Sequence, residues 1–256
     1  MGMVMPMRWS PIFVRKKIVN KSRYAQYKYF TTKHDSMLDS SFRPHVLPVI
    51  WERFPSYRAL SVTVKGYRPT LPLVAPKIEC AAWCEKHIEA WREAYRQFGA
   101  TPKKTPPSLE SLFKRYKRDG ALPVINDLVD TYNALSLNWG APVGGEDAAH
   151  YRGSPYLAVA DGTELFDTMR DGELVNESPD IGEVVWRDDI GVTCRRWNWR
   201  QCRRTGLTSN SQDLWFVIDR LAPMPIDDLI KAGGALRDSL LSASPHAQIN
   251  LELLTP

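Results

Sequence analysis

The chain is short of the residues on which covalent and metal catalysis usually depend. It holds four cysteines and five histidines in 256 residues. Cys80, Cys84, Cys194 and Cys202 follow none of the paired two-residue-gap patterns of structural zinc. No serine sits in a nucleophile elbow, no glycine-rich phosphate loop is present, and no His-Glu metal motif occurs. Covalent and metal chemistry therefore have little support, and neither a metal nor a cofactor is expected. Apolar runs are short as well: none approaches the roughly 20 residues of a membrane helix, and the start lacks the roughly 7 to 15 residue apolar core of a secretory signal. The expectation is a cytoplasmic protein without membrane contact, its thiols reduced.

The body of the chain has no net excess of basic charge, although the net charge is +5. Residues 1–40 take eight of the 34 Lys and Arg against two of the 29 Asp and Glu, leaving 26 basic and 27 acidic residues for the rest. No global basic field surrounds the folded part, so contact with a polyanion there must come from local patches. Residues 1–40 read as a basic, poorly ordered extension. A tail without a specific role, an organellar targeting segment, and codons upstream of a start at Met37 all fit it.

What is present is a mixture of helix and strand texture. Residues 57–65 alternate Leu60, Val62 and Val64 with Ala59, Ser61 and Thr63, as a half-buried strand does. After a loop with Pro69, Pro72 and Pro76, residues 79–98 predict a helix whose stripe runs through Cys80, Trp83, Cys84, His87, Ile88, Trp91, Tyr95 and Phe98. Cys80 and Cys84 then share a face as buried thiols, and His87 is a core histidine rather than a catalytic one. The loop ATPKKTPPS, with Lys103 and Lys104, leads to a helix capped by Ser108 that turns Lys114, Arg115, Lys117 and Arg118 outward. This basic cluster suits phosphate and equally suits a solvated face. Residues 156–173 and 183–221 are β-rich, and 226–241 read as a helix weakened by Gly233 and Gly234. The predicted organisation is a basic extension (1–40), one folded domain (41–222), and a C-terminal helix and tail (223–256).

Two stretches carry the chemistry. In LPVINDLVDTYNALSLNWGAPVGGED (122–147) a helix from about Val124 puts Ile125, Leu128, Val129, Tyr132 and Leu135 on one stripe and Asn126, Asp130 and Asn133 on another, followed by a glycine-bearing turn. Short polar side chains one turn apart are poor choices for a solvated face. They suit a ligand, or a hydrogen-bond network serving neighbouring strands. In VTCRRWNWRQC (192–202), read as a strand, Arg196, Asn198 and Arg200 face one way and Arg195, Trp197 and Trp199 the other. Five arginines between Arg195 and Arg204 favour bidentate contacts to carboxylate or phosphate, with Asp130, Glu146 and Asp189 available inside the protein. The tryptophans suit stacking on a base or, more simply, capping a core.

These two stretches, with WREAYRQFGATPKKTPPS before them, resemble the tRNA-binding and editing module of the phenylalanyl-tRNA synthetase β subunit in a free-standing form. Pro123, Asn126, Val129-Asp130, Asn133 and Gly140-Ala141-Pro142 fit the synthetase pattern, and the resemblance runs from about Phe42 to about Leu221. It implies an α/β body of mixed α+β type: two interleaved subdomains, mainly antiparallel sheet flanked by helices, and a pocket between them. In the synthetase that pocket hydrolyses the ester of a wrong amino acid on tRNA. Two departures stand out. The histidine that usually follows the glycine-x-proline turn is replaced in the run Gly144, Gly145, Glu146 and Asp147, and the acid that recognises a tyrosine hydroxyl falls near Gln201 or Cys202. Tyrosine is therefore not the expected substrate.

On this reading the chain is a tRNA-binding protein that hydrolyses a mischarged aminoacyl-tRNA in trans. The alternatives are a tRNA-binding module without catalysis and a binder or enzyme for a free amino-acid derivative. Glu146 is the candidate water orienter or base, and Asn198 its catalytic partner. Asn133 positions the substrate, with Asn126, Asp130, Ser136 and Gln201 around it. Gly144 and Gly145 offer backbone amides, Arg196 and Arg200 hold the site or the terminal phosphate, and Lys103, Lys104 and Arg115 contact the tRNA backbone.

Overall fold

The computed structural model describes residues 41–256; the basic extension expected over 1–40 lies outside them. In chain order the elements are β1 (His45–Val46), α1 (Pro48–Arg53), β2 (Arg58–Lys65), α2 (Cys84–Gln97), α3 (Ser108–Asp119), α4 (Asp127–Trp139), β3 (Val143–Asp147), a 3-10 turn (Ala148–His150), β4 (Tyr156–Val159), β5 (Phe166–Arg170), β6 (Glu173–Glu177), β7 (Val184–Arg187), β8 (Val192–Arg195), β9 (Arg200–Gln201), β10 (Leu214–Arg220), α5 (Ile226–Ala243) and β11 (Gln248–Leu254). They form the mixed α+β architecture expected from the sequence. One sheet has the order β11-β2-β10-β3, all antiparallel. A second has the order β1-β4-β7-β8-β9, antiparallel except for the short β1–β4 pair, and β5 and β6 form a separate two-stranded antiparallel sheet. The first draws its strands from both ends and the middle of the described chain, so the two sheets are interleaved along the sequence. No helix among the described residues is long and apolar enough to cross a membrane.

The four-stranded sheet is covered on both faces, which is why β10 reads LWFVIDR with little alternation. Leu214, Phe216 and Ile218 join Leu60, Val62 and Val64 of β2 against Leu128, Tyr132 and Leu135 of α4 and Leu229, Leu236 and Leu240 of α5. On the other face Trp215 and Val217 pack with Trp91 and Tyr95 of α2 and with Leu157 and Trp186 of the second sheet. By the two-residue period Asp219 falls on this second face.

Several expectations are corrected. α2 begins at Cys84, so Cys80 stands outside the helix and is exposed instead of sharing a buried face. Ser108 is the first residue of α3 and makes no cap; Pro107 occupies the cap position. α4 begins at Asp127, three residues later than expected, and leaves Ile125 exposed. Gly233 does not merely weaken α5: a Cβ there would fall 2.0 Å from Leu60 Cδ2, so its absence lets the helix close on β2. The stretch taken for a tail contains β11, paired along its length with β2.

His87 is the core histidine that the stripe predicts. Nδ1–H donates to the Gly140 carbonyl at 2.6 Å and Nε2 accepts from the Leu221 amide at 3.0 Å. Burial pushes its pKa down to about 4.

Candidate functional site

The stretch 192–202 is not one strand. β8 ends at Arg195, the chain turns, and β9 returns at Arg200. Arg196 and Trp197 take φ of +46° and +67°, a conformation that costs a residue with a side chain roughly 1–2 kcal/mol. Trp197 offsets this by burial, its ring lying 4.8 Å from Phe54, 4.7 Å from Tyr57 and 5.2 Å from Trp91; such a side chain contributes on the order of 2–3 kcal/mol. It caps a core, as the simpler of the two readings had it. The turn also undoes the predicted alternation. Arg196 is drawn aside, its amide donating to Glu183 and its guanidinium to Asp180, while Asn198 and Arg200 face inward.

A cavity of about 200 Å³ opens between this hairpin, the inner face of the four-stranded sheet, and the starts of α3 and the middle of α4. It gathers Asn133 of α4, Gly144 and Glu146 of β3, and Asn198, Arg200 and Gln201 of the hairpin, six of the residues singled out from sequence. Ser108, Ser111, Leu112, Tyr132, Val143, Trp186, Cys194, Trp197, Trp199, Val217 and Asp219 complete its wall.

Asp219 is the residue that the sequence reading missed. It is 1% exposed, accepts from Tyr57 Oη at 2.7 Å through Oδ1, and accepts from Asn198 Nδ2 at 3.3 Å through Oδ2. Burial pushes its carboxyl up to about 7, with the two hydrogen bonds acting the other way. Asn198 is in turn fixed by Tyr95, whose hydroxyl donates to its Oδ1 at 2.8 Å. An acid ending the apolar run Leu214–Ile218, at period two with Trp215 and Val217, was the available signal.

Glu146 lies in β3, paired opposite Trp215, and not in a turn. It is 2% exposed and accepts from Tyr151 at 2.6 Å and Thr205 at 2.5 Å. Burial raises its carboxyl above the usual range, against the hydrogen bonds of Thr205, Tyr151 and Thr193 and the charge of Arg204. Gly144 and Gly145 are likewise strand residues, paired opposite Val217 and Phe216. Only Gly144 meets the cavity. A Cβ on Gly145 would lie 2.6 Å from the Phe216 ring, so that glycine is required by packing. Gln201 donates to the Gly145 carbonyl at 3.1 Å.

The polar row of α4 divides. Asn126 is the N-cap, accepting from the Val129 amide at 2.9 Å, and Asp130 accepts from the Ile125 amide at 2.9 Å, so both serve the helix start. Ser136 is fully buried and donates to the Ala141 carbonyl at 2.6 Å. Asn133 alone of the row reaches the cavity, and its side chain makes no hydrogen bond to another described residue. The arginine forks are also taken: Arg195 grips Glu183 at 3.0 and 2.7 Å, and Arg204 grips Asp188 at 2.9 Å through both nitrogens. Neither uses the partners Asp130, Glu146 or Asp189 that the sequence offered. Arg200 donates to the Met169 carbonyl at 3.3 Å.

Outside the cavity, α3 carries Ser108, Ser111, Leu112 and Arg115 along one face, the first three lining the cavity wall. Lys114, Lys117 and Arg118 are paired with Glu110, Glu85 and Asp119. Lys103, Lys104 and Arg115 are exposed and make no ion pair among the described residues.

No curated protein matches the chain in sequence. Among solved structures it is similar to an N-terminal fragment of the phenylalanyl-tRNA synthetase β subunit from Pyrococcus horikoshii, with a TM-score of 0.47, 9% identity, and coverage of 85% of this chain and 55% of that one. The chain thus spans little more than half of that fragment. The model of the B3/4 domain matches residues 90–239, more than half of the sequence and all of the cavity-lining residues named above. The chain belongs to the B3/4-domain family, the kind of synthetase β-subunit module that its sequence resembles.

Proposed function

We propose that this protein binds tRNA and hydrolyses, in trans, the ester of a mischarged aminoacyl-tRNA. The observation that carries the reading is the cavity itself, in which Asn133, Gly144, Glu146, Asn198, Arg200 and Gln201 converge from distant parts of the chain. An ester is already activated, so holding water against the carbonyl and offering donors to the developing oxyanion supplies much of the rate without a covalent nucleophile. Asn198, held between Tyr95 and Asp219, and Asn133, with its amide uncommitted, orient the ester; Gly144 lets the substrate approach the β3 backbone; Glu146 orients water. Lys103, Lys104 and Arg115 take the tRNA phosphates.

Incubation with a panel of mischarged and correctly charged tRNAs tests this directly. Ester loss from a mischarged member is expected, and loss from none removes the hydrolase. Replacing Lys103, Lys104 and Arg115 together by Ala should weaken tRNA binding and lower the slope of log affinity against log salt by about 2 to 3. A second reading, tRNA binding without turnover, is favoured by the engagement of Glu146 with Tyr151 and Thr205. It predicts salt-dependent retention on tRNA with every ester intact.

A further inference from the structure

Among the described residues, seven Asp or Glu are buried: Glu110, Glu146, Asp147, Glu164, Glu183, Asp188 and Asp219. Five of them have a basic partner. Glu110 meets Arg92 and Lys114, Glu164 meets Arg187, Glu183 meets Arg195, Asp188 meets Arg204, and Asp147 lies beside His150. The two that make no ion pair, Glu146 and Asp219, are the two that line the cavity. A buried carboxylate without a cation is costly enough that folds pair it or keep it protonated. The exception therefore falls where a ligand would supply the missing charge.

The two acids do not act on one cation. Trp215 pairs with Glu146 and Val217 with Gly144, so Asp219 lies four residues along β10 from the point opposite Glu146, roughly 13 Å at the usual strand rise. No single ion bridges that span. Asp219 uses one interaction on each oxygen, with the neutral donors Tyr57 and Asn198, and a carboxylate accepts about four. A separate observation concerns the polar atoms of the cavity's lining residues. Ser108 Oγ and Trp186 Nε1 are buried without a hydrogen-bond partner, and both residues line it. Trp186 is itself 1% exposed.

We propose that Asp219 receives the α-ammonium group of the aminoacyl moiety, making a free amine a requirement of the substrate. The inference rests on the reading of the cavity as the aminoacyl site and deepens it. The ammonium donates to the unfilled lone pairs of Asp219, and the unpartnered hydroxyl and indole N–H are left for acceptor atoms of the ligand. A cavity of about 200 Å³ takes a compact amine of this kind and not a folded peptide. An N-acylated aminoacyl ester is excluded, having no cation to offer.

The test uses the whole chain and amide-linked analogues, which are not hydrolysed: 3′-deoxyadenosine bearing a 3′-aminoacylamido group with a panel of side chains, each beside its counterpart lacking the α-amine. Calorimetry on the unaltered protein should show the amine form binding on the order of tenfold or more tightly, the usual strength of a charged hydrogen bond. Asp219→Asn should erase that preference, bringing the amine form down to the affinity of its amine-free counterpart. Equal affinities, a preference that survives Asp219→Asn, or binding by no member of the panel would each overturn the proposal. If the variant does not fold, the paired ligands on the unaltered protein decide it. Amine-selective binding without any tRNA deacylation keeps the ammonium site and removes the hydrolase; deacylation without amine selectivity does the reverse.

Discussion

Two charged regions of this molecule sit within a few residues of one another and are built in opposite ways. At the base of the β8–β9 hairpin, Arg195 is matched to Glu183 and Arg204 to Asp188, each by two hydrogen bonds. In the cavity alongside, Asp219 and Glu146 are as deeply buried and are met only by neutral donors. The first region is closed: its charges hold a turn with two residues in the left-handed region. The second is left open on the charge it would need. Residue type alone does not separate a structural ion pair from a binding group; completeness of the partners does.

The comparison is open to breakage at both ends. The largest effect is expected from Glu183→Ala, which removes the two-point partner of the buried Arg195 guanidinium, leaving it the longer contact with Glu177 at 3.3 Å, and also removes the acceptor of the Arg196 amide. Loss of one partner of such a pair should lower stability by about 3–5 kcal/mol, read as the shift of a denaturant midpoint. A loss under about 1 kcal/mol would mean that the hairpin is held by Trp197 and not by charge. Next comes pH. The folded pKa of Asp219 is raised from 3.8 to about 7, so the protein binds more protons at this site than the unfolded chain does between those values. The stability from Asp219 is complete below pH 4 and is lost as pH rises toward 7, by up to roughly 4 kcal/mol. Asp219→Asn cannot ionise, so its melting temperature relative to the unaltered protein should climb over that interval. A difference that is flat with pH would contradict the uncompensated carboxylate. The smallest effect sharpens the contrast within α4. Asn126→Ala should cost about 1 kcal/mol of stability as a lost cap and leave ligand binding unchanged, whereas Asn133→Ala should leave stability nearly unchanged and weaken the bound analogue.

Much of the fold could be read from local pattern. β2, α3 and the body of α4 announced themselves by period, and the runs 122–147 and 192–202 carried the family resemblance. What stayed hidden depended on long-range contact. Nothing near Arg196 and Trp197 marks a left-handed turn, since neither glycine nor asparagine occupies those positions; the aromatic cluster that compensates Trp197 comes from residues 54–98. Gly144-Gly145 looked like a turn because the reason for Gly145, the Phe216 ring across the ladder, lies 71 residues away. The polar row of α4 was visible, but its division into cap and cavity residues required knowing where the helix starts. Asp219 stood in an apolar strand in plain sight, and only the pairing of β10 with β3 turns it toward the cavity.

The seating of Trp197 bears on how the site fails when the protein is heated. Loops that carry binding residues usually loosen well before the body melts. Here the indole between Phe54, Tyr57 and Trp91 is the immediate neighbour of Asn198 and sits two residues from Trp199, both on the cavity wall. The hairpin cannot drift without pulling a tryptophan out of the core. Ligand affinity should therefore persist up to the unfolding transition and vanish with it, and an overpacking change at Phe54 should be felt in the cavity as a change in affinity.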